Sequence, residues 1–293
     1  MGIIGTLAAG FLVSFGLRAA PAGVLVAYES GVEAFSQALN GLKAGLGPGN
    51  LHAMDVRAAG AGSELARSLS ARDARLLVAM GSESVALVRS RNPGIPVVAT
   101  MVLHAPDDNL GAHVILDLPL QKVLGVMRVL LPQHRRVGII RSRLRAYETA
   151  EILEAAARKE GFTAIVVDCE GPGGLLKAVA TFSGRVDILL CLPDAELYNA
   201  VTIKPLMLAS LGHRLPVVGF SPAFVRAGAV VGIYPDYEDI GRQTAEMALR
   251  IMRGEGRGFE EGPRKVHAAV NERVARLLGI DLHIGVTAFE VFR

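Results

Sequence analysis

Short apolar runs alternate with longer amphipathic segments along the first third of the chain. Residues 24–28 and 76–80 are continuous apolar runs of strand length, and each is followed by a segment whose apolar side chains recur at helical spacing. This alternation predicts a parallel sheet that is covered by helices on both faces. The predicted order is a strand at 24–28, a helix at 32–46, a strand near 52–57, a helix at 63–70, a strand at 76–80, a helix at 82–91 and a strand at 95–102.

The alternation begins again after a polar break at residues 105–109, which gives two α/β units of roughly 110 residues each. Further elements follow the second unit, so we expect several crossings between two lobes, and such crossings act as a hinge. The predicted fold is α/β, with two doubly wound parallel-sheet lobes joined by a multi-strand hinge. The first lobe is predicted at 23–108 plus about 237–262 and the second at 109–236 plus about 263–293. The elements predicted after the break are helices at 120–131, 147–160, 175–182, about 195–211, 237–253 and 271–278 and strands at 137–140, 164–168, 188–192, 216–220, 229–234 and 265–270.

The first 17 residues carry no charged side chain, and Arg18 ends this run. The run is shorter than the roughly 20 residues that a membrane-spanning helix needs. Residues 20–22 read Ala-Pro-Ala, the small-x-small pattern that signal peptidase accepts. We predict that residues 1–22 are a signal peptide, and that the mature protein is periplasmic or extracellular. An uncleaved anchor and a buried strand or helix are the alternatives.

The amino-acid composition, the charge and the missing motifs exclude several classes of protein. Of the 293 residues, 51% are hydrophobic and 20% are charged, which is too apolar for a disordered chain. The net charge of +3 is not concentrated in a basic stripe, so the sequence does not favour nucleic acid as a partner. Phosphate-loop and nucleophile-elbow motifs are missing, and the seven histidines have no metal-ligand spacing. We therefore predict no catalytic residues, no cofactor and no metal site.

Cys169 directly follows one predicted strand of the second unit, and Cys191 lies within another. In the expected strand order 2-1-3 the central strand separates these two strands, which places the cysteines about 10 Å apart. We predict two free, buried thiols rather than a disulfide.

Ligands of open parallel sheets bind beyond the carboxyl ends of the strands. The residues predicted at those ends include hydroxyls, carboxylates, an arginine and aromatic rings, a mixture that suits a small polar or zwitterionic molecule. The candidate ligand-binding residues are Tyr28, Glu29, Ser82, Glu83, Ser84 and Met101 in the first unit and Arg141, Asp194, Phe220, Ser221, Tyr234 and Asp236 in the second.

Several candidates have a structural alternative. Ser82 and Ser84 begin a helix, where they either cap it or leave its N–H groups free for a ligand carboxylate. Asp194 also precedes a predicted helix, where it either caps the helix or pairs with a ligand ammonium. Arg141 lies among other arginines, as in a solvated basic loop. Glu29 needs a partner if its carboxylate is buried beside a cleft.

The C-terminal third carries the residues of a family resemblance. Residues 216–221 (Pro-Val-Val-Gly-Phe-Ser), 225–229 and 237–254 follow the order and spacing of the family, and residues 270–280 match its closing motif. Residues 35–46, which contain Ala-Leu-Asn-Gly, match its opening. Over residues 24–284 the chain resembles the substrate-binding proteins of ABC transporters, in the group whose better-known members bind aromatic amino acids.

The resemblance implies a type I periplasmic-binding fold, in which two lobes clamp a ligand. It also implies that Ser82 lies in the ligand loop of the first lobe, and that Asp194 lies at a strand end of the second. Glu83 adds a negative charge inside that loop. Pro106 and Asp107 stand in the reverse of the family's order. These two departures leave the identity of the ligand open.

We therefore expect an extracytoplasmic solute-binding protein, not an enzyme. It captures a small polar or amino-acid-like ligand by hinge closure and delivers it to an ABC permease. A periplasmic sensor that signals to a membrane receptor is the main alternative. A two-lobed glycosyltransferase-like enzyme would need a nucleotide-phosphate loop, which the sequence lacks. A repressor-type ligand domain is disfavoured because residues 1–22 make a poor helix-turn-helix.

Overall fold

The computed structural model describes residues 23–292 apart from 48, 71–73, 92–93, 104–110, 146, 257 and 286–289. The predicted signal peptide and the Pro106-Asp107 pair lie outside the described residues. The strands are β1 (Val24–Tyr28), β2 (Leu51–Asp55), β3 (Leu76–Met80), β4 (Val97–Val102), β5 (Gly111–Ile115), β6 (Arg136–Arg141), β7 (Thr163–Asp168), β8 (Ile188–Leu190), β9 (Val217–Gly219), β10 (Val231–Pro235), β11 (Glu260–Glu261), β12 (Val266–Asn271) and β13 (Glu290–Phe292). The α-helices are α1 (Glu33–Leu46), α2 (Ala61–Ser70), α3 (Ser82–Arg91), α4 (Leu120–Leu130), α5 (Ala150–Lys159), α6 (Leu175–Thr181), α7 (Ile203–Gly212), α8 (Pro222–Ala227), α9 (Tyr237–Met252) and α10 (Glu272–Leu278).

The strands form two sheets, and each sheet with its helices is one lobe. The first sheet has the order β11-β5-β4-β3-β1-β2 and is parallel throughout. The second has the order β13-β12-β10-β9-β8-β6-β7, and its one antiparallel pairing joins β10 to β12. The predicted α/β fold with two parallel-sheet lobes is confirmed.

Helices on both faces of the first sheet explain why β1 and β3 are continuous apolar runs. In the first lobe, Leu42 of α1 and Ile240 of α9 pack on one face of the sheet. Leu65 of α2 and Val88 of α3 pack on the other, and all four side chains are buried. A strand covered on both sides has no face for polar side chains, so it becomes a continuous apolar run. Among the described residues, no helix combines the length and the apolar character that crossing a membrane requires.

Helices α1 and α9 pack backbone against backbone at two glycines. A Cβ atom added to Gly41 would lie 1.9 Å from the carbonyl oxygen of Glu238. One added to Gly241 would lie 1.9 Å from the carbonyl oxygen of Ala38. Both glycines belong to segments that carry the family resemblance, so the close approach of these helices accounts for part of that pattern.

The structure differs from the sequence-based prediction at several elements. Strands β5, β11 and β13 and helix α8 were not predicted, and each has six residues or fewer. The helix expected at about 195–211 begins at Ile203 instead, after a series of turns. Strand β5 pairs with β4 in the first sheet, whereas the predicted boundary assigned residues from 109 onward to the second lobe. The rest of the predicted lobe division stays a prediction.

Within the described residues, the chain passes between the sheets after β5, after β10 and after β11. The segments at these crossings are tied to the flanking helices. Lys122 Nζ of α4 donates to the carbonyl of Pro263 at 2.8 Å. The Gln243 side chain of α9 donates to the carbonyl of Gly262 at 3.1 Å and accepts from the backbone of Arg264 at 3.3 Å. The crossings therefore lie together and form the junction between the lobes.

The two cysteines are free and buried, as predicted. They follow β7 and β8, which lie on opposite sides of β6 in the second sheet. Cys191 is enclosed by the apolar core of the second lobe, and burial raises its pKa to about 12. A thiol with so high a pKa stays protonated at neutral pH.

Candidate functional site

A cavity of about 410 Å³ lies between the lobes at the carboxyl ends of their strands. We call it the interlobe cavity. Glu29, Ser82 and Met101 line it from the first lobe, at the ends of β1, β3 and β4. Arg145 and Asp194 line it from the second, after β6 and β8. Four of these five residues belong to the predicted set, and Arg145 does not.

A second cavity of about 280 Å³ adjoins the first and is mostly apolar, and we call it the apolar cavity. Phe220 and Ser221 of the predicted set line this cavity. The centroid of the Phe220 ring lies 4.5 Å from that of Phe224. The two cavities share part of their walls, so one ligand can reach both. The shared residues are Leu103, Leu116, Pro193, Asp194 and Ala195.

Glu29 has its partners within the first lobe. Its side chain is only 8% exposed, and its Oε2 lies 3.1 Å from Nη2 of Arg57. Its Oε1 accepts the backbone N–H of Glu83 at 3.2 Å. The carboxylate approaches the start of α3 over Gly81, where a Cβ atom would lie 2.5 Å from Oε1. Glu29 therefore already satisfies part of the N-terminus of α3.

Asp194 acts as a cap and also lines both cavities. Its Oδ1 accepts the N–H groups of Glu196 at 3.1 Å and Leu197 at 3.2 Å, at the start of the turns after β8. Its Oδ2 accepts the N–H of Ser142 at 3.0 Å, which joins the ends of β6 and β8. A carboxylate offers about four acceptor positions, and three are used here. One acceptor position thus remains for a donor on a ligand.

A charged cluster around Arg145, which was not predicted from the sequence, forms the opposite wall of the interlobe cavity. The side chain of Arg145 is 6% exposed and is bonded to Asp117 at 3.1 Å, to the carbonyl of Pro193 at 2.7 Å and to Glu148. Tyr147 also lines the interlobe cavity and donates to Asp117 at 3.3 Å. Partial burial and the negative charge of Asp117 raise the pKa of Tyr147, so its hydroxyl stays protonated at neutral pH.

No sequence pattern marks this cluster, because its members come from separate segments. Asp117 precedes α4, and Arg145 ends a 3-10 helix that spans Arg143–Arg145. The neighbouring arginines Arg141 and Arg143 pair with other carboxylates, so position in the basic run does not distinguish Arg145.

Met101 combines burial with an unusual backbone conformation. Its φ is 56°, in the left-handed region, and its side chain is 3% exposed. The register of β4 against β5 shifts between Thr100 and Val102, at this same point. A non-glycine residue in this region costs about 1–3 kcal/mol, and such strain clusters at ligand sites.

Three predicted residues line neither cavity, and of these Ser84 and Tyr234 are buried while Tyr28 is partly buried. Tyr28 packs against the core of the first lobe. Ser84 is fully buried within α3, and its Oγ has no partner among the described residues. Tyr234 is 3% exposed and stacks on Tyr237 with a centroid distance of 5.7 Å.

Three further candidates are held by polar contacts outside the cavities. Glu83 lies 3.5 Å from Arg57 Nε, and Arg141 forms a two-point contact with Asp168 at 2.5 and 3.2 Å. Asp236 caps the start of α9 through its side chain. Within the described part of the chain, no group of three or more histidine, cysteine, aspartate or glutamate residues is placed to hold a metal ion.

Solved structures with similar folds include an ABC domain with a bound ligand and a substrate-binding protein. The ABC domain from Streptococcus pneumoniae, in complex with L-Trp, has a TM-score of 0.62 and 18% identity over 92% of this chain and 100% of that chain. A ligand-free, open substrate-binding protein with adhesive properties from Clostridium difficile has a TM-score of 0.70 and 17% identity over 92% and 98%. At these identities the similarity shows the fold alone.

A sequence relative and a family model carry the comparison further. The tyrosine-binding protein of Clostridioides difficile (strain R20291) is 20% identical over an alignment of 202 residues, which covers 62% of this chain and 56% of that protein. The chain thus spans little more than half the length of this relative. The family model described as ABC transporter substrate binding protein matches residues 32–283. The resemblance drawn from the sequence is confirmed, and the chain belongs to the family of ABC transporter substrate-binding proteins.

Proposed function

We propose that this protein is an extracytoplasmic binding protein that captures a small solute between its lobes and delivers it to an ABC permease. One observation carries the proposal: the walls of the interlobe cavity come from both lobes, with Glu29, Ser82 and Met101 facing Arg145 and Asp194. A ligand that contacts both walls stabilises the closed arrangement by its differential affinity for that state. Hinge closure at the crossing segments is the mechanism.

The adjoining cavities favour an amino acid with an apolar side chain as the ligand. The apolar cavity offers side chains such as Leu118, Ile233 and Phe220 to an apolar group. The shared wall carries Asp194, whose remaining acceptor position suits an ammonium group. The tryptophan and tyrosine that two of the similar proteins bind combine these features.

A thermal-shift screen tests solute capture. The panel holds amino acids, amines, sugars, short peptides and organic acids, and we expect amino acids with apolar side chains to raise the melting temperature by mass action. Small-angle scattering of the same samples should show a smaller radius of gyration when the solute is bound. If no solute changes either quantity, the proposal is wrong.

Asp194→Asn tests the predicted site, with Asp168→Asn as its control. The Asp168 carboxylate is 72% exposed and pairs with Arg141, which lines neither cavity. We expect weaker binding only in the Asp194 variant, because it loses the charge that faces the ligand. If the two variants bind the ligand with equal affinity, Asp194 does not contribute to ligand binding.

Export and delivery need separate experiments. If residues 1–22 are a cleaved signal peptide, N-terminal sequencing of the protein from its native source should begin at Gly23. A native protein that retains Met1 and stays in the cytoplasm contradicts export. Uptake of labelled solute that depends on both this protein and a permease supports delivery, whereas a signalling response without uptake supports the sensor alternative.

A further inference from the structure

The N-terminus of α3, one of the predicted anchors for a ligand carboxylate, already faces a carboxylate of this chain. The N–H of Glu83 donates to Glu29, and Arg57 holds the other oxygen of Glu29. A ligand carboxylate at this helix start would meet Glu29 and Glu83, two carboxylates that share the single cation Arg57 and so leave a net negative charge. Like charges so placed repel each other, so an anionic ligand group needs another partner.

The charges on the cavity walls differ in how they are neutralised. Arg145 is neutralised by Asp117 and by Glu148. Arg89 also lines the interlobe cavity and is exposed to solvent. Within the described residues, the ion pairs at the cavity use Arg57 and Arg145 but not Arg89. Of the two arginines that line the cavity, Arg145 has two carboxylate partners, whereas Arg89 has no carboxylate partner among the described residues and its guanidinium is available to a ligand.

Helix geometry places Arg89 away from Glu29. Ser82, Val85 and Arg89 all line the interlobe cavity, at helical spacings of three and four residues, so they share one face of α3. Seven residues of helix separate Ser82 from Arg89 by about 10 Å along the axis. The backbone of Arg89 thus lies nearly two helix turns from the start of α3, where the Glu29 carboxylate is bound.

We propose that Arg89 binds the carboxylate of an aromatic amino acid and is a specificity-determining residue of this site. The inference rests on the proposed function and deepens it. Arg89 belongs to the first lobe, and Asp194, which takes the ammonium, belongs to the second. A zwitterion that contacts both residues bridges the lobes. An amine that lacks the carboxylate keeps the contact with Asp194 but loses the contact with Arg89 in the first lobe.

Isothermal titration calorimetry with L-tyrosine and tyramine, which differ by the carboxylate, tests this assignment. The variants are Arg89→Gln and, as a matched control, Arg91→Gln. Both arginines are exposed in the last turn of α3, but Arg91 lies beside Gly62 and does not line the interlobe cavity. We expect Arg89→Gln to weaken L-tyrosine binding by about tenfold or more and to leave tyramine binding unchanged. Arg91→Gln should bind both as the wild type does.

Salt dependence gives a second readout. Because Arg89 is exposed, raising the ionic strength from about 0.05 to about 0.5 M should weaken L-tyrosine binding in the wild type and less so in Arg89→Gln. If Arg89→Gln binds L-tyrosine as tightly as the wild type, the assignment is overturned. If neither L-tyrosine nor L-tryptophan binds the wild type, the inference also fails, while the solute panel still decides the proposed function.

Discussion

Substituting Gly241 by alanine tests whether the contact of α1 and α9 requires glycine. The added Cβ would lie 1.9 Å from the carbonyl oxygen of Ala38 and 2.7 Å from the backbone nitrogen of Leu42. Real Cβ atoms essentially never approach closer than 3.0 Å, so the helices must move apart by about an ångström. Both atoms belong to backbone, and no flexible side chain can turn away.

Two opposing terms set the magnitude. Alanine is favoured over glycine inside a helix by about 1 kcal/mol. Overpacking a tight contact costs typically about 1–3 kcal/mol, and a clash between two backbones belongs at the upper end. We therefore expect Gly241→Ala to lower the free energy of unfolding by about 2 kcal/mol. At about 2–4 °C per kcal/mol, the melting temperature should fall by about 4–8 °C.

Gly125→Ala is the matched control for this measurement. Gly125 lies inside α4, and a Cβ atom there meets nothing within 4 Å. This variant receives the helix-propensity gain without the clash, so its free energy of unfolding should rise by about 0.5–1 kcal/mol. Urea titration and calorimetry of both variants measure the difference. If Gly241→Ala is as stable as Gly125→Ala, the argument from backbone contact is wrong.

Three further predictions concern buried and paired groups. Arg145→Gln should lower the free energy of unfolding by about 3 kcal/mol, because it leaves two carboxylates without their cation. The control is Arg143→Gln, since the Arg143 side chain is 86% exposed. This variant should change the free energy of unfolding by under about 0.5 kcal/mol, and urea titration measures both changes. Equal losses in the two variants would contradict the distinction. The hydrogen bond from the Ser30 hydroxyl is the main cause that lowers the pKa of Asp55 in the folded protein. The Asp55 carboxylate therefore stabilises the fold fully above its unfolded pKa near 3.8, and this stabilisation is lost as the pH falls through the lower pKa of the folded state. Asp55→Asn should therefore flatten the acid limb of stability measured against pH, and an unchanged limb would refute this. The Cys191 thiol, with its pKa raised to about 12, should react with iodoacetamide at pH 8 only after unfolding, as mass spectrometry can show; rapid alkylation of the folded protein would contradict its burial.

Long apolar runs and long amphipathic helices were predictable from the sequence, and short elements were not. β3 is buried at every position and β1 at every position but its last, so both appear in the sequence as continuous apolar runs. β11 has two residues and β13 has three, which is too few for periodicity to register. β5 is polar at His113 and begins at a glycine, so its place in the first sheet depends on pairing with β4 rather than on its own composition.

The strand-end rule found side chains by position but did not show how they are paired. It placed Glu29, Ser82, Met101 and Asp194 on the interlobe cavity because the carboxyl ends of parallel strands meet at one edge. It gave no sign of Arg145, whose role depends on Asp117 from another segment. Long-range pairing of charges is a property of the folded structure, and local sequence carries little of it.

The pairing of charges also bears on how the lobes close. Glu29 is neutralised by Arg57 within the first lobe, and Arg145 is neutralised by Asp117 and Glu148, which belong to a crossing segment and to the second lobe. Among the described residues, these ion pairs at the cavity are made within one lobe or at the junction and not across the cavity. The Glu29–Arg57 and Arg145–Glu148 pairs each lie within one lobe, so they can persist when the lobes separate. On the proposed function, the balance between the open and closed states is then set by the ligand's own contacts with the two walls, which is the condition for a binding protein that closes only when it is loaded.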